Sequence, residues 1–432
     1  MERKIVKKLL DWKKSANRKP LILQGARQVG KTFSALTFGK AHYKNVVYVN
    51  MENSSDVLSI FERDINPERI VRELAVISGQ TIFKDDTLII FDEIQASERA
   101  LASLKYFCEQ APDYHIIAAG SLLGVAVNRK EYSFPVGKVD MLTMYPMDLE
   151  EFLWANQQQQ LVNLIREAYE GFSPFSLHEL ALDWYKTYLV VGGMPRAVLD
   201  FRESGDFDFV YATQKNLNDA YIADMAKYAT PTETTKIMGA WNSIPAQLAK
   251  ENRKFQYKVI KSGARAYEYE TPLEWLKSAG IIHKCTLVSE GKVPLIAYTD
   301  YSSFKVYMMD VGLLCSKFGI SARIIKDSPH SFDGFKGALV ENYIMQALVC
   351  NEIEPFYWNS QGRAEVDFIF QTREGEIIPL EGKSADNVRS KSLRIFVERY
   401  EVPYSIRVST KNFGFENGIK SIPLYALFCL KV

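Results

Sequence analysis

At 432 residues, with 47% hydrophobic and 24% charged positions, the chain suits roughly two to four domains with real cores and is too apolar for a disordered one. A net charge of +1 excludes a strongly basic or acidic protein whose partners follow from charge alone. The five cysteines (Cys108, Cys285, Cys315, Cys350, Cys429) form no CxxC pair and do not cluster with the five histidines, which argues against a disulfide framework or a structural zinc and for a reducing cytosol.

Residues 1–20 hold eight Lys/Arg against two acids, with Ile5, Leu9 and Trp12 at helical spacing. A basic helix packed by that stripe is expected, with a nucleic-acid contact as the sharper alternative. The first residues show no signal-peptide core and no apolar run reaches membrane-spanning length, so a soluble cytoplasmic protein with no membrane partner is expected.

Leu21-Ile22-Leu23 is followed at once by Gly25-Ala26-Arg27-Gln28-Val29-Gly30-Lys31-Thr32, a complete GxxxxGK(S/T) phosphate loop, which runs into a stretch that can be helical, Thr32 to Phe38. The glycines let the backbone wrap a triphosphate with its amides pointing inward, and the helix N-terminus adds partial positive charge. Residues 25–33 are therefore the expected ATP-binding segment, with Lys31 on the β/γ-phosphates and the Thr32 hydroxyl on Mg2+. Leu88-Ile89-Ile90-Phe91-Asp92-Glu93 reads as a buried strand ending in two carboxylates. Asp92 would hold Mg2+ and Glu93 would orient and deprotonate the attacking water, which favours a hydrolase over a small-molecule kinase. Strand-like runs at 21–23, 46–49, 88–91, 116–119 and 139–143 alternate with helical ones, predicting a parallel sheet with helices on both faces. Ser121, after Ala119-Gly120, is either a γ-phosphate sensor or an ordinary helix cap.

Beyond Pro146 the strands stop and a helical region is expected to 231, interrupted near Gln157–Gln160 and at Gly192-Gly193-Met194-Pro195, a turn whose role stays open. Residues 232–322 then read as a winged helix, with helical segments followed by a hairpin pairing 281–288 with 295–298. Arg253, Lys254, Lys258, Lys261 and Arg265 with no intervening acid suggest a surface facing double-stranded DNA, with interdomain packing by the winged helix as the alternative, and Pro272 interrupts or kinks the recognition helix.

In the last segment, 364–371 alternates with period two, a turn containing Gly375 follows, and 377–383 returns. Pairing Gln371 with Ile377 sets Asp367 opposite Glu381 and puts Val366, Phe368 and Phe370 on the face of Ile378, Leu380 and Gly382. Opposed carboxylates repel unless a cation lies between them, so a metal held by Asp367 and Glu381 is expected, with Lys383 beside it as a catalytic cation and Glu341 as a further ligand. Asp…Glu-x-Lys is the arrangement of PD-(D/E)xK nucleases, although Glu-x-Lys also recurs at Glu2–Lys4 and Glu290–Lys292, and Pro379 suits an edge or irregular strand. The alternative is a solvated hairpin face whose Glu365 and Asp367 pair with Lys383.

With these blocks, and with Ile94-Gln95 completing the acidic strand end, the chain resembles a prokaryotic family of AAA-like ATPases carrying a C-terminal domain of unknown function 4143. The resemblance implies an α/β multidomain protein: an additional-strand P-loop ATPase domain (1–150), a helical linker or lid (151–231), a winged helix (232–322) and a restriction-endonuclease-like domain (323–432). One departure is Lys138, where relatives tend to carry arginine, so no arginine finger is assigned. Two functions follow as expectations. One is an Mg2+-dependent ATPase coupled to DNA through the winged helix and nuclease-like domain. The other is a nucleotide-dependent switch without nuclease activity that recruits a protein partner or a second copy of itself.

Overall fold

The computed structural model describes residues 1–53, 55–121, 134–250, 253–327, 333–360, 364–383 and 391–431. They fall into two compact units. One comprises residues 2–145 with 278–280; the other holds 146–277 and 281–432. No helix among the described residues is long and apolar enough to cross a membrane.

The first unit is built on five parallel strands, β1 (Leu21–Gln24), β2 (Asn45–Asn50), β3 (Thr87–Asp92), β4 (His115–Gly120) and β5 (Asp140–Thr143), in the order β2-β3-β4-β1-β5. Every residue of β3 and β4 is buried, which is why these strands are continuous apolar runs rather than alternating ones. β4 lies between the strand that precedes the phosphate loop and the strand that ends in Asp92. That is the additional-strand arrangement expected from the sequence. Ile89, Phe91, Ile116 and Ala118 share a core with Ile60, Phe61, Ile70, Leu74, Leu104 and Phe107. The basic N-terminal helix, Ile5–Lys14, buries Ile5, Leu9 and Trp12, the stripe read from their spacing.

The second unit begins with helices Leu149–Ala155, Gln159–Glu170, His178–Val191, Pro195–Ser204, Phe207–Tyr228 and Pro231–Leu248. The open Gly192-Gly193 turn is a packed joint here. A Cβ on Gly193 would lie 1.8 Å from the Met147 carbonyl oxygen, so only glycine fits. The Gly193 amide donates to Asp310 Oδ2 at 2.6 Å, and the Met147 amide donates to the Gly193 carbonyl at 2.7 Å. Asp310 also caps helix Val311–Phe318 through the Leu313 amide. Burial pushes its carboxyl up to about 6, against the lowering effect of those amides.

An eight-stranded sheet follows: β6 (Ile282–Val288), β7 (Thr299–Met308), β8 (Phe356–Asn359), β9 (Glu365–Gln371), β10 (Ile377–Gly382), β11 (Ser405–Ser409), β12 (Gly414–Glu416) and β13 (Ile419–Pro423). Its order is β12-β13-β11-β10-β9-β8-β6-β7. Three expectations change. Residues 295–298 form a 3-10 turn, and β6 pairs instead with β7, antiparallel. The hairpin is no free wing, because β6 also pairs in parallel with β8 and joins the sheet of the last hundred residues across the expected 322/323 boundary. The physical reason is burial: residues 303–308 of β7 are all buried, whereas a solvated wing would alternate. Helix Ala266–Ser278 runs on through Pro272, with Tyr269, Leu273 and Leu276 buried.

The register of the β9–β10 hairpin is the one that burial of its apolar face requires. Gln371 faces Ile377, Phe370 faces Ile378 and Phe368 faces Leu380, with Gly375 at positive φ (87°) in the turn. β10 is an interior strand rather than an edge, with Pro379 opposite Ile369 of β9 and one residue before the pairing with β11 begins at Leu380.

Candidate functional site

The phosphate loop leaves β1 at Gly25, which sits at φ 143°. A Cβ there would lie 2.1 Å from the Met144 carbonyl oxygen, so the position admits glycine alone. Gly30, at φ 95°, starts the helix Lys31–His42. Arg3 binds the loop from outside, donating to the Val29 carbonyl at 2.8 Å and the Tyr145 carbonyl at 2.7 Å. Lys31 Nζ donates to the loop's own carbonyls, Gly25 at 2.9 Å and Ala26 at 2.7 Å. Burial lowers the Lys31 ammonium to about 8, with Arg27 adding to the shift and Glu93 and Asp92 opposing it. Phe33, included in the expected nucleotide segment, is 59% exposed.

The acidic strand end lies against this loop. Thr32 Oγ1 donates to Asp92 Oδ2 at 2.9 Å. Residues sixty positions apart in sequence are thus in direct contact. Tyr48, on the neighbouring β2, donates to the same oxygen at 2.9 Å. The Glu93 amide donates to Asp92 Oδ1 at 3.1 Å. Glu93 itself sits at φ 52°, and its Oε2 accepts from Gln95 Nε2 at 2.5 Å. Among the described residues neither Asp92 nor Glu93 forms an ion pair; neutral donors hold both. Ser121, at the end of β4, accepts from Arg27 Nε at 3.3 Å, which links it to the loop. The residues after it lie outside the described ones, so the helix-cap alternative does too. Lys138 pairs with Glu109 at 2.8 Å.

The donor set fits Mg2+. A hydroxyl and a carboxylate oxygen, hard ligands both, converge at a helix N-terminus, and among the described residues no side-chain cation pairs with the carboxylate. Sequence reasoning missed Arg3 and Tyr48, and it quoted Gln95, two positions after the acidic pair, without giving it a role.

The second cluster assembles differently. The Gly382 amide donates to Asp367 Oδ2 at 2.9 Å, and Lys383 Nζ pairs with Glu381 Oε1 at 2.6 Å. Glu341, on helix Asp333–Cys350, is not open to a metal: Lys305 Nζ lies 3.0 Å from its Oε1, Tyr307 donates to that oxygen at 3.1 Å, and Arg253 binds its Oε2. Glu365 pairs with Lys305 at 2.7 Å, not with Lys383. No group of three metal-ligating side chains converges anywhere among the described residues.

Residues 17–153 match the AAA domain family. Residues 336–427 match a domain of unknown function, DUF4143, and 182–323 match another, DUF8612. The latter runs across the 231/232 boundary expected from sequence. No curated protein matches the chain. Among solved structures, the chain is similar to the Walker-type ATPase PABY2304 of Pyrococcus abyssi, at 15% identity over 73% of this chain and 95% of that one, with a TM-score of 0.45. ORC1 of Aeropyrum pernix, solved in complex with DNA, aligns at 14% identity over 73% of this chain and 91% of its own (TM-score 0.31). RuvB of Thermotoga maritima, a Holliday junction branch migration motor, aligns at 13% over 68% and 91% (TM-score 0.32).

Proposed function

We propose that the protein binds ATP in the loop 25–33 and hydrolyses it with Mg2+, using the nucleotide state to control what its second unit binds. The observation that carries this reading is the Thr32–Asp92 contact at 2.9 Å, which brings the hydroxyl of the phosphate loop and the carboxylate of the acidic strand to one point. Bound there, Mg2+ would neutralise phosphate charge as a Lewis acid.

The chain's own residues account for the rest. The amides of residues 25–30 and the helix N-terminus bind the phosphates. Lys31 leaves the Gly25 and Ala26 carbonyls for the β/γ-phosphates, exchanging two neutral acceptors for charged ones, and a triphosphate restores its full protonation. Thr32 and Asp92 hold the cation, with Tyr48 fixing the carboxylate's orientation. Glu93 takes the proton of the attacking water, and Gln95 holds its side chain. Ser121 and Arg27 stand as a pair at the end of β4, placed to respond to the γ-phosphate.

For the second unit, the reading favoured is a binding element rather than a nuclease, since cations already engage Glu341, Glu365 and Glu381. DNA remains a candidate partner through Lys258, Lys261 and Arg265. Of the original five, Arg253 is turned onto Glu341 and Lys254 onto Ser303. Steady-state ATP turnover tests the central reading. Glu93→Gln should retain nucleotide binding and lose turnover by about 10²–10⁴-fold; unchanged turnover would remove Glu93 as the base.

A further inference from the structure

The hairpin carboxylates invite a metal, yet the structure supplies a cation of its own. Lys305, on β7, has a side chain only 1% exposed, and its ammonium lies between Glu341 Oε1 at 3.0 Å and Glu365 Oε1 at 2.7 Å. The Tyr357 ring sits 5.1 Å from the same nitrogen. Arg253 engages the other oxygen of Glu341, and Lys383 engages Glu381. Among the described residues, Glu341 and Glu365 therefore share Lys305, Arg253 takes the other oxygen of Glu341, Glu381 pairs with Lys383, and Asp367 accepts from the Gly382 amide. Lys305, Glu365, Glu341 and Arg253 come from β7, β9, the helix Asp333–Cys350 and the segment before Phe255, so their ion pairs join four separate stretches of chain.

We infer that Lys305 is a built-in replacement for a divalent ion, and that this cluster is a metal-independent ionic lock which binds no catalytic metal and cleaves no nucleic acid. A divalent ion taking Glu341 as a ligand would have to displace Lys305 from one of its oxygens and Arg253 from the other. In a poorly hydrated interior the repulsion between that ion and these cations is strong, and Lys305, buried as it is, has no solvent to retreat to. The inference concerns the second unit alone and stands whether or not the phosphate loop hydrolyses ATP.

Counting bound Mn2+ by electron paramagnetic resonance on the full chain with excess ADP tests it. Wild type should bind one Mn2+ per chain, Asp92→Asn none, and Asp367→Asn still one. Plasmid and single-stranded DNA incubated with wild type in Mn2+ should stay intact. A second Mn2+ that survives Asp92→Asn and disappears in Asp367→Asn, or cleavage that Asp367→Asn abolishes, would overturn the inference. Loss of the only Mn2+ in Asp92→Asn without a second one would leave it standing even if turnover proved absent. A positive arm uses Lys305→Met. Without metal its Tm should fall by about 5–10 °C, because Glu341 and Glu365 lose their shared cation. Added Mn2+ should restore that loss by occupying the vacated position, while wild-type Tm without nucleotide stays constant. If Lys305→Met does not fold, Lys305→Gln replaces it, and a Tm that ignores Mn2+ in the folded variant counts against the replacement.

Discussion

The protein carries two acidic strand ends, and they are held in opposite ways. At the end of β3, Asp92 and Glu93 are positioned by a threonine, a tyrosine and a glutamine, all neutral donors. Around β9 and β10, Glu341, Glu365 and Glu381 are each held by a lysine or arginine. Neutral donors orient a carboxylate without cancelling its charge, so the first site retains attraction for an arriving cation. Cationic partners cancel the charge of the carboxylates they hold, and among the described residues Asp367 there is held by a neutral donor, the Gly382 amide. Carboxylate spacing alone does not distinguish a metal site from an ionic lock; the partners of each oxygen do.

Removing the charge that organises the second cluster breaks the comparison most severely. Glu341→Gln leaves Arg253 and Lys305 short of a carboxylate in a buried setting and should cost about 3–5 kcal/mol of stability, read by chemical denaturation. ATP binding by the folded fraction should not change. A loss under about 1 kcal/mol would mean the cluster is hydrated and loosely held.

The first site is sharpened by a smaller change. Tyr48→Phe removes one donor from Asp92 and, beside it, only a long 3.5 Å contact from Asn50. The Mg2+ concentration giving half-maximal turnover should rise about tenfold, in line with a hydrogen bond to a charged group. Nucleotide affinity measured in EDTA should stay constant. A fall in that affinity would assign Tyr48 to the nucleotide instead of the carboxylate.

The mildest effect is in pH. Because Lys31 titrates at about 8 in the free protein instead of near 10.5, ATP must restore a proton above that pH. Affinity should be flat below pH 8 and fall up to about tenfold per unit above it, and calorimetry in buffers of different ionisation enthalpy should show proton uptake. The sign for folding is reversed: the lowered pKa costs stability below 8, and that cost fades as pH rises from 8 toward 10.5.

What the sequence made legible was local. The phosphate loop is a contiguous block, β3 is an apolar run ending in Asp92-Glu93, and the β9–β10 register follows from alternation around a five-residue turn. Burial enforced each of these within a short stretch. The rest depended on distant pairings. Nothing in residues 281–308 announces that β6 will pair in parallel with β8, so the hairpin read as a wing. Lys305 lies in a strand whose pattern reveals neither Glu341 nor Glu365, and Arg253 read as one member of a basic run although it faces inward. Tyr48 joins the nucleotide site only because β2 lies beside β3. Gly192-Gly193 turns from an open loop into a joint only through Met147 and Asp310, which are distant in sequence and packed against it.

Binding of MgATP to the purified full chain, by isothermal titration with wild type beside Lys31→Ala, tests the central claim most directly. One site per chain in wild type, weakened at least about a hundredfold in the variant with an unchanged melting profile, is the predicted result. Equal affinity in both proteins would show that the loop 25–33 does not cradle the nucleotide, and the account of the first unit would fail.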